Sequence, residues 1–428
     1  MGNIMNKVEE KMMPIASRLA SNAILTAIRN TMISLMPFFI VGSVFLLFAY
    51  LPIKGYDEFI NGIFGEGVLQ GLVTSVSNAT INVMGLIILI GVSYNYSKAK
   101  EEDPIFIIIT NLMVFLIVTP LVDGNIASEW LGAKGMFISI LIAIIFTNIF
   151  IKIKKLGIQP KMPDTVPPAV TKSFGALVPI ALVSIIAVLI RALFMNTSYG
   201  DIHHFVFSIV QAPLLKLGNN IFSMIIAEML GQFLWFFGLH GNDIVGSVMS
   251  PVWLSQSAEN LAAFTANAEL PFIITKQFKD IFMQMGGSGS TLPLVISLIF
   301  LTKSKQLRTL GILALPASLF NINEPIIFGL PIVLNAIMFI PWMLATPIVS
   351  IITYVSMSIG LVSLTSGVII PWTTPVVLSG YLVSGVSGAI LQIVLLVVVF
   401  FIYYPFIKIL DKRYHKEEML DLSIAKGV

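Results

Sequence analysis

The chain has 428 residues, of which 57% are hydrophobic and 11% charged, whereas a soluble globular chain carries about 25% charged residues. So few charges cannot cover a water-facing surface of this size, and with a mean hydropathy of +0.93 the composition describes a polytopic helical membrane protein. A net charge of +3 gives no footprint for nucleic acid, and the lack of any Cys excludes disulfides, thiolate metal sites and a cysteine nucleophile.

In chain order, the first 22 residues mix both signs of charge and lack an apolar core. They read as an amphipathic interfacial helix and not as a signal peptide. A membrane-spanning helix needs about 20 apolar residues. Stretches free of Asp, Glu, Lys and Arg run over 30–53, 67–97, 104–122, 135–151 and 173–190, which predicts five helices. The segment DIHHFVFSIVQAPLLKL reads as a surface-lying amphipathic connector, residues 201–218. A sixth span is expected from about Asn219 to Met249, interrupted by Glu228, His240 and Asp243. Another uncharged run, 281–302, contains GGSGST, and 309–407 holds Glu324 as its single charged residue in 99 positions. The total expected is about ten spans, with re-entrant hairpins in the C-terminal half.

Lys7, Lys11, Arg18 and Arg29 precede the first span, Lys98 and Lys100 follow the second, and Lys152, Lys154, Lys155 and Lys161 follow the fourth. Lys303, Lys305 and Arg308 cluster later, and Lys408, Lys412, Arg413 and Lys416 lie in the tail. The loops between these groups are poor in positive charge, so both termini are expected on the cytoplasmic side. The chain divides near residue 200 into a regular N-terminal part (1–200), the connector, an irregular part with Gly and Pro inside apolar stretches (219–410), and a tail (411–428). Irregular backbone at membrane depth survives only where protein or a watery cavity satisfies its peptide groups, and broken helices of this kind surround the substrate in transporters. The functional site is expected within 219–407.

Glu324, in LFNINEPIIFGLP, is a costly residue to keep in an apolar run, which makes it the leading candidate for a carboxylate facing a cavity. Asn323 and Pro325 beside it predict broken backbone. His240, in WFFGLHGNDIVGS, offers an imidazole that can donate to or accept from a hydroxyl. MGGSGSTLPL lacks the Gly-Lys-Ser/Thr of a Walker loop and reads as a re-entrant tip, in which Gly287 and Gly289 let backbone approach a ligand. Trp235 beside the His240 corner, and Trp372 between Pro371 and Pro375, offer indole faces suited to the CH-rich face of a sugar. Trp130, Trp253 and Trp342 read as an interfacial belt. Four His without metal-like spacing argue against a metal site. A carboxylate, an imidazole, exposed peptide groups and an indole, with no Arg cluster, suit a neutral polyhydroxylated solute.

GLHGNDIVGSVMSPVW, GGSGSTLPL and NINEPIIFGLPIVLNAIMFIPW resemble the membrane component, enzyme IIC, of the phosphoenolpyruvate-dependent sugar phosphotransferase system. The similarity is to its lactose, cellobiose and diacetylchitobiose family and covers essentially the whole chain. It implies a homodimer in the bacterial cell membrane with ten spans per subunit, the first five forming the dimer interface and the last five holding the sugar. It further implies that Glu324 and His240 bind the sugar near the hydroxyl that receives phosphate, with Trp372 against the sugar; Asn323, Trp235, Gly287 and Gly289 are expected to complete the sugar-binding set. Phosphate reaches the sugar in this family from a phosphocysteine on IIB, supplied by IIA. Without Cys, the chain carries no phosphorylated residue of this kind, and the donor is expected to be a separate cytoplasmic protein. No cofactor is implied. The rival readings are an ion-coupled sugar carrier with Glu324 as its proton or Na⁺ site, and an intramembrane transferase with His240 as base.

Overall fold

The computed structural model describes residues 14, 18, 21–49, 55–158, 166–330, 332–333 and 335–425. Apart from Pro14, Arg18, Ser21 and Asn22, the expected N-terminal interfacial helix lies outside the described residues. The fold is helical, with only a two-residue antiparallel ladder, Leu121–Val122 with Asn125–Ile126, among the described residues. Two compact units are formed: one from Arg18–Lys216 with Ser250–Ser255, the other from Leu217–Met249 with the chain from Gln256 onward. Among the described residues, five helices are long and apolar enough to cross a membrane, beginning with Ala23–Leu46 and ending with Leu378–Asp421.

The first unit contains α1 (Ala23–Ala49), α2 (Tyr56–Phe64), α3 (Val68–Asn78), α4 (Met84–Ala99), α5 (Pro104–Val118), α6 (Met136–Lys155) and α7 (Pro168–Met195). The α4 helix is its axis, packing on α1, α5 and α6. Polar residues on the packed faces bond to one another: Asn111 of α5 donates to Ser93 Oγ of α4 at 2.9 Å and to Thr147 Oγ1 of α6 at 3.0 Å. The outward faces of α1 and α7 expose Phe38, Phe48, Leu177, Ile185 and Leu189, as a surface facing hydrocarbon or another apolar surface requires. The uncharged run 67–97 is two helices and not one. Asn82 donates to Asn78 Oδ1 at 2.6 Å and Thr80 Oγ1 bonds back to the Val76 carbonyl, so short polar side chains compete with the helix at this break.

The connector is helical throughout: α8 (Ile202–Val206), a π-turn (Phe207–Gln211) and α9 (Ala212–Gly218). It is less superficial than its sequence suggests. His203 is buried, 3.0 Å from Thr119 Oγ1 and packed on Phe115 and Trp130, and Gln211 donates to Ser255 Oγ at 3.2 Å. Trp130 is therefore a core residue of this unit and not part of an interfacial belt.

The second unit holds α10 (Ile221–Phe236), most of α11 (Gly241–Thr265), α12 (Leu292–Leu301), α13 (Lys305–Leu319), the short α14 (Glu324–Gly329), α15 (Ala336–Ser358) and α16 (Leu378–Ala425). The α16 stretch is broken at Ser384 and Gly385, whose backbone is non-helical. α12 and α13 pack as a hairpin. Its closed end, Lys303 to Gln306, is fastened by α16: Asp411 Oδ1 accepts from the Lys303 and Ser304 amides at 2.7 and 2.9 Å. Glu418 accepts from Ser304 Oγ at 2.6 Å and from the Gln306 and Lys305 amides at 2.9 and 3.1 Å. Its open end carries the Gly-rich turn before α12 and the Asn-Glu-Pro segment after α13.

The hydroxyl of Ser304 and the amides of Gln306 and Lys305 hold the Glu418 carboxyl below the usual carboxylate range. A depressed folded-state pKa contributes stability that is present above the unfolded value and lost as pH falls through the folded one. Glu418→Gln is therefore expected to unfold at lower temperature than wild type at neutral pH, with the gap closing as the solution is acidified below the ordinary carboxylate range. Thermal scans of both proteins in the same detergent, across pH, measure this.

Candidate functional site

The polypeptide between α11 and α12 is largely non-helical, and its peptide groups find side-chain partners. Asn219 Oδ1 accepts from the Ile273 and Ile274 amides at 3.2 and 3.0 Å. Asn260 both accepts from the Phe272 amide (3.0 Å) and donates to the Phe272 carbonyl (2.8 Å), bonding as a paired strand would. Next come a π-turn, Phe278–Phe282, and four ionisable groups. Lys276 pairs with Asp280, and Lys279 Nζ lies 3.5 Å from the same carboxylate. Glu228, buried on α10, lies within electrostatic reach of both lysines. Asp280 thus stands between two ammonium groups as their shared counter-charge, which offsets part of the cost of burying them.

The Gly-rich turn follows. Ser290 Oγ donates to the Met283 carbonyl at 2.8 Å and Thr291 Oγ1 to the Gly286 carbonyl at 2.6 Å, so the turn folds on its own hydroxyls. Gly287, at φ +98°, has no room for a side chain: a Cβ there would stand 2.5 Å from Asn323 Cγ. Gly289, at φ +75°, lies under the Trp342 ring, where a Cβ would approach to 2.6 Å. Both positions combine a left-handed backbone with close packing, and only Gly satisfies both. The Gly289 carbonyl accepts from the Tyr403 hydroxyl at 2.9 Å.

The turn joins the Asn-Glu-Pro segment. Asn323, buried, donates to the Ser288 carbonyl at 2.7 Å, and Asn321 Oδ1 accepts from the Gly286 amide at 2.7 Å. Glu324 then opens α14 with Pro325 behind it, its side chain exposed. From the other side, Gln232 of α10 donates to Ser288 Oγ at 3.0 Å, and its backbone carbonyl accepts from Trp342 Nε1 at 2.9 Å. One turn further along α10 is Trp235, buried, with its ring centroid 4.4 Å from that of His240. His240 precedes α11 and is exposed at a corner held close to α10, since a Cβ on Gly241 would stand 1.9 Å from the Gly231 carbonyl oxygen. Trp372 lies in a non-helical stretch before α16, its indole 40% exposed while its carbonyl accepts from Asn321.

Hydrogen bonds or packing thus link the Gly-rich turn, the Asn-Glu-Pro segment, the Pro-bounded Trp372 loop and the end of α10. Glu324, His240 and Trp372 are exposed, whereas Asn323, Trp235, Gly287 and Gly289 are buried. No cluster of three or more His, Asp and Glu fit to hold a metal occurs among the described residues. The segments that carry the Glu324 carboxylate and the Trp372 indole are joined through Asn321 and Asn323, and the His240 imidazole lies against Trp235 at the end of α10.

The model of the family described as "Phosphotransferase system, EIIC" matches residues 29–346, well over half the chain. The chain belongs to that family. This EIIC protein, a helical multi-pass membrane transporter, is 42% identical to the PTS system cellobiose-specific EIIC component of Geobacillus stearothermophilus, over 100% of this chain and 98% of that one. It is 41% identical to the lichenan permease IIC component of Bacillus subtilis, over 99% and 97% of the two chains. Its fold is similar to the crystal structure of the transporter ChbC, the IIC component from the N,N'-diacetylchitobiose-specific phosphotransferase system. The TM-score is 0.93 at 41% identity, covering 96% of this chain and 99% of that one.

Several residues of the EIIC protein escaped the sequence reading. Trp342, expected in an interfacial belt, is buried against Gly289, and Trp253 is buried as well. Asn321, Gln232 and Gln392 also went unread, although an uncharged amide inside an apolar run is a signal of the same kind as Glu324, only weaker. The Lys276, Lys279 and Asp280 group was passed over because it falls between two uncharged stretches and resembles a loop. Removing the shared counter-charge there leaves two ammonium groups in a mostly buried place. Asp280→Asn is expected to cost about 3–5 kcal/mol of stability, measured as a lower unfolding temperature in detergent; Asp280→Glu should recover part of it.

Proposed function

We propose that this EIIC protein is the permease for a β-linked disaccharide of the diacetylchitobiose or cellobiose type, moved across the bacterial cell membrane as its 6-hydroxyl is phosphorylated by a separate cytoplasmic IIB protein. IIB, recharged by IIA, carries the phosphocysteine. The observation that carries the reading is Glu324: the single charged residue of a 99-residue apolar run, with an exposed side chain, opening a helix directly after the segment bonded to the Gly-rich turn. The names of the relatives support the substrate class.

In this reading the sugar stacks on the Trp372 indole, which contributes apolar contact to the CH-rich face and leaves hydroxyls free for the amides and carboxylate. Glu324 accepts a hydrogen bond from the 6-hydroxyl and takes its proton as the oxygen attacks phosphorus. The O–P bond forms, the S–P bond breaks, and the cysteine thiolate of IIB leaves. His240, held against Trp235, orients the same hydroxyl. Attack by a neutral alcohol needs a proton acceptor at the oxygen and little else from the permease, because phosphoryl transfer depends mainly on positioning and electrostatics. The sugar phosphate is anionic, so a carboxylate lining its cavity favours release toward the cytoplasm. Chemistry, in place of an ion gradient, drives accumulation.

Residues 1–200 are assigned to dimerisation, 201–218 to the connector, 219–410 to sugar binding and 411–428 to the tail, in a homodimer with about ten crossings per subunit. Exposed apolar side chains on α1 and α7 are compatible with burial in lipid or against a second copy. Basic residues at the end of α4 and α6, Lys98 and Lys152 to Lys155, favour a cytoplasmic position for those ends and for both termini.

Glu324→Gln is expected to abolish phosphorylation of the sugar by phospho-IIB and to weaken sugar binding. His240→Ala should lower the transfer rate more than the affinity. Single-turnover transfer from ³²P-labelled IIB, beside titration of cellobiose and diacetylchitobiose, separates the two effects. Near-normal transfer by Glu324→Gln would sink the assignment.

A further inference from the structure

Asn321 stands where three stretches of the second unit meet, and the mechanism above gives it no task. It is 5% exposed. Its Oδ1 accepts from the Gly286 amide at 2.7 Å, and its Nδ2 donates to the carbonyls of Trp372 at 2.7 Å and Thr374 at 3.0 Å. Both N–H groups and the oxygen are therefore spent on backbone. Only a carboxamide supplies an acceptor on one atom and two donors on the other at this reach. The residue also adopts φ +61°, in the left-handed region that Asn enters more readily than other side-chain-bearing residues. One residue type thus meets two separate demands.

The loop it grips is anchored on either side, at Thr365, whose carbonyl accepts from Asn260 at 3.0 Å, and at Val377, whose amide donates to Gln392 at 2.6 Å, and between those points Asn321 supplies bonds from another segment. Pro371 and Pro375 bring no amide hydrogens, and the stretch around Trp372 is non-helical. Within it, Thr374 bonds back through its amide (2.9 Å) and hydroxyl (2.7 Å) to the Pro371 carbonyl, which shapes the loop but does not anchor it. The Asn321 amide bridges this loop to the Gly-rich turn, three residues ahead of Glu324 in the chain. A half-exposed indole binds a sugar well only when its plane is already set, because ordering it on binding costs affinity.

We propose that Asn321 is a positioning residue: its carboxamide clamps the Trp372 loop to the Gly-rich turn, and so sets the indole for the sugar without touching the sugar. The proposal rests on the reading that Trp372 contacts the ligand. The test is isothermal titration of full-length protein in detergent with diacetylchitobiose and cellobiose, for Asn321→Gly, Trp372→Phe and the double variant. Glycine keeps the left-handed backbone and removes only the amide.

Asn321→Gly is expected to weaken sugar binding by about tenfold or more, the loss of one or more hydrogen bonds at about 1 kcal/mol each. In the Trp372→Phe background the same change should have a clearly smaller effect, a coupling that general destabilisation would not produce. Asn321→Asp keeps the acceptor but turns an oxygen toward two carbonyls, and should bind at least as poorly. It replaces the glycine variant should that one fail to purify as monodisperse protein. Trp372→Phe weakened with Asn321→Gly unchanged, or two losses that simply multiply, would overturn the proposal alone. Unchanged affinity in Trp372→Phe would overturn the reading of the site, and the clamp with it.

Discussion

A peptide group in an apolar setting must be bonded, and the irregular backbone of the second unit meets that demand with side-chain amides. Asn219, Asn260, Asn321 and Asn323 each bond main-chain groups of non-helical segments. Gln392 does the same from α16: its Oε1 accepts from the Val377 and Gly380 amides at 2.6 and 2.9 Å, and its Nε2 donates to the Ile281 carbonyl at 2.8 Å. A carboxamide has the donor and acceptor set of a peptide without its charge. It therefore replaces a missing strand or helix partner at far less desolvation cost than an ionic group. Without this set of amides, turns rich in Gly and Pro would face hydrocarbon with unmade hydrogen bonds.

The consequence is that the polar groups around the Gly-rich turn are largely structure-holding ones. Glu324 and His240 are conspicuous because they are not spent in this way: among the described residues no hydrogen bond from either side chain competes for a ligand. Trp235 and Trp342 divide along the same line. Each is buried, and Trp342 uses its N–H on the Gln232 carbonyl while its ring covers Gly289. They act as scaffold for the turn and the His240 corner, and the exposed indole is that of Trp372.

Much of this was readable in advance because membrane insertion penalises charge so heavily. A solitary Glu in an apolar run, a His between two glycines and a Gly-Ser cluster stand out against such a background, and two of the segments they mark, the Gly-rich turn and the Asn-Glu-Pro segment, are bonded to each other in the fold. What stayed hidden was whatever does not break the background pattern. The helix break at 79–83 involves no charge and no proline, only an Asn78–Asn82 side-chain pair and Thr80 bonding back to backbone, and it left the run 67–97 looking like one span. Aromatic residues were equally ambiguous: an indole at an interface and one packed on a glycine share a sequence signature, so Trp130, Trp253 and Trp342 were misjudged. Asn321 and Asn323 lie two residues apart, yet only the one adjoining Glu324 drew notice. Which amide bonds which loop depends on long-range pairing, and local sequence does not encode it.

The α12–α13 hairpin brings these threads together. At its open end it carries the Gly-rich turn on one leg and the Asn-Glu-Pro segment on the other, bonded to each other through Asn321 and Asn323. At its closed end, Asp411 and Glu418 of α16 grip the connecting turn through backbone amides and one hydroxyl. Two legs tied at both ends cannot slide past one another without breaking several buried hydrogen bonds at once. Any displacement of the hairpin must then carry the carboxylate of Glu324 and the peptide groups of the turn as a single body. The proposed mechanism needs this property, since in it the sugar hydroxyl has to keep its orientation relative to its proton acceptor while the sugar is moved.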